Sequence, residues 1–192
     1  MFEGGVPLIV ALILAAGEGS RIGTPKAMLE IDGERFIDRA VSILRASGCA
    51  EVYVVLGAWV GEVAEAKVIV NEDWKEGMAS SLRKGLSHIS TLPEVEGVLV
   101  SLVDLPGLTV QAAHKILVEP GEIVVGTYRG KPGHPVKFSR KHWLGIMEST
   151  HGEIGARDYL AKRLDVQYVE LGDLANGKDI DTTEDLELFL QD

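Results

Sequence analysis

Residues 8–14, LIVALIL, run directly into residues 15–26, AAGEGSRIGTPK. A stretch that is apolar at every position is typical of a strand covered on both faces of a sheet. Glycines in the loop that follows let backbone N–H groups approach a phosphate chain closely, and the cations Arg21 and Lys26 can neutralise it. The stretch therefore predicts a strand followed by a phosphate-binding loop. A glycine turn with incidental surface cations is the alternative.

A second apolar strand is predicted at residues 97–103, and Asp104-Leu105-Pro106 follows it. Strands that are apolar throughout belong to the centre of a sheet. In an open α/β sheet the ligand crevice lies beyond the carboxyl ends of such strands. The glycine loop and Asp104 thus each follow a predicted central strand, at the end where the ligand crevice is expected.

Short β-branched runs alternate with longer helical faces along the chain, a pattern that predicts an α/β domain with a largely parallel sheet. Strands are expected at residues 8–14, 51–56, 67–70, 97–103, 122–127, 134–138 and 166–171. Helices are expected around residues 36–44, 78–89, 110–117, 139–147, 156–164 and 183–190. No linker longer than a loop interrupts them, so residues 1–192 are predicted to form a single domain.

Composition excludes several classes of protein. The 192 residues are 46% hydrophobic and 25% charged, as in globular proteins, and the formal net charge of -10 with no basic stripe argues against nucleic acid as a partner. Residues 6–16 are too short to cross a membrane, and Glu3 replaces the cationic flank of a signal peptide. The single Cys49 cannot form an internal disulfide, which favours a cytoplasmic location.

Several motifs, in order along the chain, resemble one family. Residues 14–26 read L-A-A-G-x-x-S-R-x-G-x-x-K, which is similar to the signature of nucleotidyltransferases with a GT-A-like fold. Residues 71–82 read N-x5-G-M-x-x-S-L, and they are followed by GHPV at 133–136, GEIGAR at 152–157 and DIDTTEDL at 179–186. These segments resemble the molybdopterin cytidylyltransferase-like, or MobA-like, family.

The resemblance implies a three-layer α/β/α sandwich with a mixed, mostly parallel sheet, as in the nucleotide-diphospho-sugar transferases. It implies that a nucleoside monophosphate passes from a magnesium-bound triphosphate to a phosphate-bearing acceptor, with pyrophosphate leaving; Mn²⁺ is a second possible metal. The molybdopterin cofactor is the expected acceptor, and a molybdenum hydroxylase is a possible protein partner. Ala16, in the A-A-G segment, favours CTP over GTP as the donor, because a methyl group near the base removes space.

The resemblance also assigns roles to residues. Lys26, Arg21 and Asp104 are the catalytic candidates: Lys26 at the α-phosphate, Arg21 at the β- and γ-phosphates, and Asp104 at the metal with Asp181 as second ligand. The nucleotide-binding candidates are Leu14, Ala15, Ala16, Gly17, Gly19, Ser20, Arg21, Lys26, Asn71, Ser80 and Ser81. The acceptor-binding candidates are His134 and Arg157.

The residues themselves leave alternatives open. Asp104 could be a turn residue before Pro106, and Asp181 could be a solvated neighbour of a helix cap formed by Thr182 and Asp185. Further structural alternatives are a turn role for Asn71, an N-cap role for Ser80 or Ser81, a structural role for His134 and a surface position for Arg157. Two other functions also remain: nucleotidyl transfer to a sugar phosphate or other small phosphate, and non-catalytic binding of the molybdenum cofactor by an accessory protein.

Overall fold

Nine strands and six α-helices make up the computed structural model, which describes residues 7–191; Glu3 and Val6 of the N-terminal stretch lie outside them. The strands are β1 (Ile9–Leu14), β2 (Glu30–Ile31), β3 (Glu34–Arg35), β4 (Val52–Leu56), β5 (Lys67–Val70), β6 (Gly97–Leu102), β7 (Ile123–Tyr128), β8 (Lys131–Ser139) and β9 (Gln167–Glu170). The helices are α1 (Phe36–Ala46), α2 (Met78–Ser90), α3 (Val110–Val118), α4 (Trp143–Ser149), α5 (Arg157–Ala161) and α6 (Thr183–Phe189). Short 3-10 turns lie at Lys26–Met28, Trp74–Glu76 and Arg140–His142.

The main sheet has seven strands in the order β5-β4-β1-β6-β8-β7-β9. Only β8 runs antiparallel to its neighbours within this sheet, so the expected mixed, mostly parallel sheet is confirmed. As predicted, the two apolar strands β1 and β6 are internal, and they are also adjacent to each other. Leu14 pairs with Leu102. The carboxyl ends of the two strands are therefore level.

Helices cover both faces of the sheet, and alternate residues of β1 point to opposite faces. Ile13 packs in a core with Phe36 of α1 and Ile116 of α3, whereas Leu12 packs in a second core with Leu86 of α2 and Trp143 of α4. Burying each such side chain contributes about 1.5–3 kcal/mol. The fold is thus a three-layer α/β/α domain. Within residues 7–191, none of the helices is long and apolar enough to cross a membrane.

Several element boundaries differ from the sequence-based expectation. The helix predicted at residues 139–147 begins as a 3-10 turn, and its α-helical part is Trp143–Ser149. The helix predicted at residues 156–164 spans only Arg157–Ala161 and buries none of its own residues, so packing does not extend it. The small hairpin of β2 and β3 was not predicted, because two-residue strands are too short to show a period.

Candidate active site

A cavity of about 700 Å³ opens beyond the carboxyl ends of β1 and β6, where the ligand crevice was expected. This volume lies within the roughly 300–1,000 Å³ typical of small-molecule sites. Most of the candidate residues line it together: Leu14, Ala15, Ala16, Gly17, Gly19, Ser20, Arg21, Lys26, Ser81, Asp104 and Asp181. The structure thus gathers segments that are far apart in sequence into one polar cavity.

The glycine loop, residues 15–25, turns tightly around Gly19. This residue has a φ of 62°, and a Cβ there would lie 2.0 Å from the carbonyl oxygen of Thr24. Its own carbonyl accepts hydrogen bonds from the N–H groups of Ile22 and Gly23, at 2.9 and 2.8 Å. Only glycine fits this position without a change in the loop.

The outer part of the same loop leaves its backbone available to a ligand. Ala15 donates to Val55 and continues the sheet, but the N–H groups from Ala16 to Arg21 donate no hydrogen bond to an acceptor in residues 7–191. A Cβ at Gly17 would meet no atom within 4 Å. Consecutive unpaired N–H groups at an open cavity are suited to binding an anion such as a phosphate chain.

Lys26 lies at the base of the cavity between two carboxylates. Its Nζ donates to Oδ2 of Asp104 at 2.6 Å and also to Oδ1 of Asp181. The Arg21 guanidinium is 72% exposed, and its Nη1 lies 3.5 Å from Oδ2 of Asp181. The two cations therefore occupy different settings, one held within the site and one at its mouth.

A backbone contact brings Asp181 to this position. The N–H of Ile180 donates to the carbonyl oxygen of Asp104 at 2.9 Å, and the Ile180 side chain is buried. Thr182 and Asp185 then form a capping box at the start of α6, as the sequence suggested. Because Thr182 and Asp185 supply the cap, the Asp181 carboxylate remains free to bind Lys26.

The Asp104 carboxylate is well suited to a cation. Burial raises its pKa despite the opposing effect of Lys26, and the negative charge of Asp179 raises it further. Burial also disfavours the charge on Lys26, but Asp104 and then Asp181 outweigh burial and raise the lysine pKa. The Oδ1 atom of Asp104 is buried and has no hydrogen-bond partner in the described part of the chain. An unpaired carboxylate oxygen with two more carboxylates nearby fits a hard divalent cation such as Mg²⁺ or Mn²⁺.

The contacts of Asn71 and Ser80 differ from expectation. Both side chains are buried and lie outside the cavity lining. The Asn71 amide donates to the hydroxyls of Ser80 and Ser81 at 2.9 and 3.1 Å, and its oxygen accepts from the N–H of Asp73. These bonds fix the turn before α2. Asn71 and Ser80 lie behind the residues that line the cavity and hydrogen-bond to each other there. Of the three residues, Ser81 alone lines the cavity.

The backbone N–H groups in the first turn of α2 already have hydrogen-bond acceptors within the protein. The N–H of Met78 donates to the Glu153 carboxylate at 3.1 Å, and that of Ala79 donates to the carbonyl oxygen of Gly152 at 2.9 Å. Neither Ser80 nor Ser81 acts as the N-cap, which is Gly77. The loop containing Gly152 and Glu153 therefore satisfies the helix terminus.

The two acceptor-binding candidates lie outside the cavity wall. By strand register, His134 is at the same end of the sheet as Asp104, but its ring is half-buried and burial lowers its pKa to about 4. It is therefore neutral near pH 7. Arg157 is exposed at the start of α5. The structure does not bring either side chain into the site, and their acceptor contacts remain predictions.

The cavity lining also includes residues that were not among the candidates, and among them are Asp179, Glu153 and Trp74. Asp179 and Asp181 flank a buried isoleucine, so the alternating pattern D-I-D was a signal for two carboxylates on one side. Glu153 lies in the G-E-I-G-A-R segment already noted. Trp74 gave no such signal, because its position depends on packing: a Cβ at Gly57 would lie 2.5 Å from Cβ of Trp74 and 2.9 Å from that of Ala16.

Comparison with solved structures gives the class of protein. A nucleotidyl transferase from Methanothermobacter thermautotroptrophicus superimposes with a TM-score of 0.80 over 96% of each chain, and its 20% identity shows a shared fold. Rv0371c from Mycobacterium tuberculosis H37Rv is 26% identical, with a TM-score of 0.82 over 97% of this chain and 99% of its own. Fold and cavity together define a three-layer α/β protein with the fold of a nucleotidyl transferase.

The family follows from the sequence as a whole. The chain belongs to the MobA-like NTP transferase domain family, whose model matches residues 11–167. Among curated relatives, the nicotine blue oxidoreductase of Paenarthrobacter nicotinovorans is 32% identical over 94% of this chain and 96% of its own length. The family resemblance drawn from the motifs is therefore confirmed.

Proposed function

We propose that this protein transfers a nucleoside monophosphate, CMP from CTP, to a phosphate-bearing acceptor, with the molybdopterin cofactor as that acceptor. The observation that carries the proposal is the position of Lys26, between the carboxylates of Asp104 and Asp181 and beside the unpaired N–H groups of the glycine loop. This arrangement offers donors for a triphosphate and ligands for its cation within one cavity.

In the reaction, an oxygen of the acceptor phosphate attacks the α-phosphorus, and the bond from that phosphorus to the oxygen bridging to the β-phosphate breaks. Pyrophosphate leaves with the electron pair. No covalent nucleophile is needed, since the acceptor phosphate is already anionic. Lys26 stabilises the charge that grows on the α-phosphate, while the loop N–H groups and Arg21 hold the departing phosphates.

Asp104 and Asp181 would hold the divalent cation, Mg²⁺ or Mn²⁺. When bound, it neutralises phosphate charge and polarises the phosphorus centre. Rv0371c, one of the similar proteins, has been solved as a complex with manganese, at 25% identity and a TM-score of 0.77 over 95% of this chain and 98% of its own. That complex supports the choice of a divalent cation.

An acceptor screen tests the proposal. Pyrophosphate release is measured with each of the four common NTPs, Mg²⁺, and either molybdopterin or a panel of sugar phosphates. We expect release only with CTP and molybdopterin. Pyrophosphate release with a sugar phosphate would show that the acceptor is a sugar phosphate and not molybdopterin. Tight binding of the cofactor without pyrophosphate release would indicate an accessory protein that delivers the cofactor to a molybdenum hydroxylase in the cytoplasm.

One relative is named an oxidoreductase, so a redox activity needs its own measurement. Oxidation of NADH or NADPH is followed with nicotine blue, the compound in that relative's name, as electron acceptor and without any NTP. Turnover of the dye together with no pyrophosphate release would overturn nucleotidyl transfer as the function.

A further inference from the structure

A second group of potential metal ligands lies far from the cavity. Glu122 precedes β7, His142 lies in the 3-10 turn that follows β8, and Asp165 lies in the loop before β9. One ligand atom from each residue lies within 4.8 Å of the other two. Three segments of the chain thus converge on one point.

Strand register places this group at the opposite end of the sheet from the candidate active site. Ser139, the last residue of β8, pairs with Gly97, the first residue of β6. The candidate active site lies beyond Leu102, at the other end of β6. The carboxylates of this group are therefore separate from those of the candidate active site, and an ion bound by one group would not contact the other.

The His142 ring points an unused nitrogen into the group. Its side chain is 4% exposed, and Nε2 is buried without a hydrogen-bond partner in residues 7–191. Nε2 lies 3.7 Å from Oε2 of Glu122, which is too long for a hydrogen bond. A tetrahedral ion with bonds of about 2.0–2.2 Å separates its ligand atoms by roughly 3.3–3.6 Å. The spacing thus nearly matches that of two ligands on one ion.

The other ring nitrogen is held as in a metal-binding histidine. Nδ1 of His142 lies 2.8 Å from the hydroxyl of Tyr159. An outer hydrogen bond of this kind fixes the ring orientation and leaves Nε2 to bind metal.

We propose that Glu122, His142 and Asp165 bind a dication of the Zn²⁺ type, which joins the starts of β7 and β9 to the turn after β8. One imidazole and two carboxylates form a set of nitrogen and oxygen donors that suits Zn²⁺ better than Mg²⁺. The two carboxylate side chains are about half exposed, so they can rotate towards an ion.

Two cations now occupy these carboxylates and would compete with the ion. Lys141 pairs with Glu122, and Arg163 forms a bidentate pair with Asp165. Lys141 is 59% exposed and can move into solvent. Arg163 uses both oxygens of Asp165, so the ion must share that carboxylate with it.

The test measures Zn²⁺ retained by the full-length chain after equilibrium dialysis with excess Mg²⁺, which competes at the all-oxygen candidate active site. We expect one Zn²⁺ per chain and a rise in Tm on adding Zn²⁺. Glu122→Gln and Asp165→Asn should each weaken Zn²⁺ binding at least about tenfold. Glu187→Gln, which removes an exposed carboxylate on α6, is the matched control and should leave binding unchanged.

A variant that is expected to strengthen Zn²⁺ binding serves as a further test, because misfolding could explain weaker binding but not tighter binding. Lys141→Gln removes the competing ammonium and should tighten Zn²⁺ binding about two- to fivefold. Equal Zn²⁺ retention in wild type, Glu122→Gln and Asp165→Asn, or no Zn²⁺ in wild type, would overturn the proposal. Pyrophosphate release, assayed separately without Zn²⁺, tests the proposed transferase activity and is independent of this result.

Discussion

Lys26 Nζ lies 2.6 Å from Oδ2 of Asp104, while the other oxygen of the same carboxylate is buried without a partner in residues 7–191. One ammonium thus satisfies half of a carboxylate that is separated from it by 78 residues in sequence. The lysine and a divalent cation would act on the same aspartate.

Lys26→Ala should lower kcat far more than it weakens nucleotide binding, because the ammonium acts where negative charge grows in the transition state. Removing one such group typically costs roughly 2.7–4 kcal/mol, or about 10²–10³ in rate. Steady-state kinetics measure the loss, with Lys84→Ala, an exposed lysine of α2, as the control. The same variant should bind Mn²⁺ more tightly without nucleotide, since the competing cation is gone. An unchanged kcat would show that Lys26 has no part in the chemistry.

Asp104→Asn should abolish Mg²⁺-dependent activity, because an amide keeps the shape of the side chain and removes its charge. Asp181→Asn should cost less, as its side chain is 41% exposed against 14% for Asp104 and more of its interaction is screened by water. Activity is measured over a Mg²⁺ titration, and Tm checks that each variant folds. Equal activity of Asp104→Asn and wild type would refute the metal assignment.

Gly19→Ala should lower the stability of the protein, whereas Gly17→Ala should weaken nucleotide binding. An alanine at Gly19 takes on a left-handed backbone at a cost of about 1–2 kcal/mol, and its Cβ also overlaps Thr24. Its Tm should fall. Gly17→Ala has open space for its methyl group and should keep its Tm, but it should weaken CTP binding because Gly17 lines the cavity where the triphosphate is proposed to bind. Calorimetric titration with CTP decides this, and unaltered affinity would place the triphosphate elsewhere.

Ala16→Gly tests the base preference. Ala16 is buried at the cavity wall, close to Gly57 and Trp74, so loss of its methyl adds space there. Wild type should prefer CTP, and the variant should accept GTP better, by an amount of about 1–3 kcal/mol in relative kcat/KM. Equal use of both nucleotides by wild type would defeat the preference. A preference that the substitution leaves unchanged would defeat the steric explanation.

Glu170→Gln should change the pH dependence of stability. The N–H groups of Gly130, Arg129 and Gly172, together with the Thr127 hydroxyl, hold the Glu170 pKa at about 2, below its ordinary value of 4.5. A carboxyl whose pKa is lowered by folding stabilises the protein above pH 4.5, and this contribution is lost as the pH falls towards 2. Denaturation midpoints should therefore differ between wild type and variant at pH 7 and converge near pH 2. A constant difference across that range would contradict the lowered pKa.

The type and order of most elements could be predicted from sequence, since periodicity and apolar runs are local properties. Residues 8–14 and 97–103 read as central strands because they are apolar on both faces, and they pair in the structure. Boundaries were less well predicted where packing decides them. The helix at Arg157–Ala161 is shorter than its pattern suggested.

In the candidate active site, too, some features follow from the sequence and others only from the tertiary structure. The sequence by itself determined the glycine loop, because Gly19 has a backbone conformation that only glycine adopts easily, and it determined the chemistry of Lys26 and Asp104. Only the tertiary structure decided that Asp181, separated from Lys26 by 155 residues, reaches the lysine, and that Gly152 and Glu153 fill the N-terminus of α2. The physical reason is that these contacts join segments distant in sequence. Their positions depend on how the whole chain packs against the sheet, which no local sequence pattern encodes.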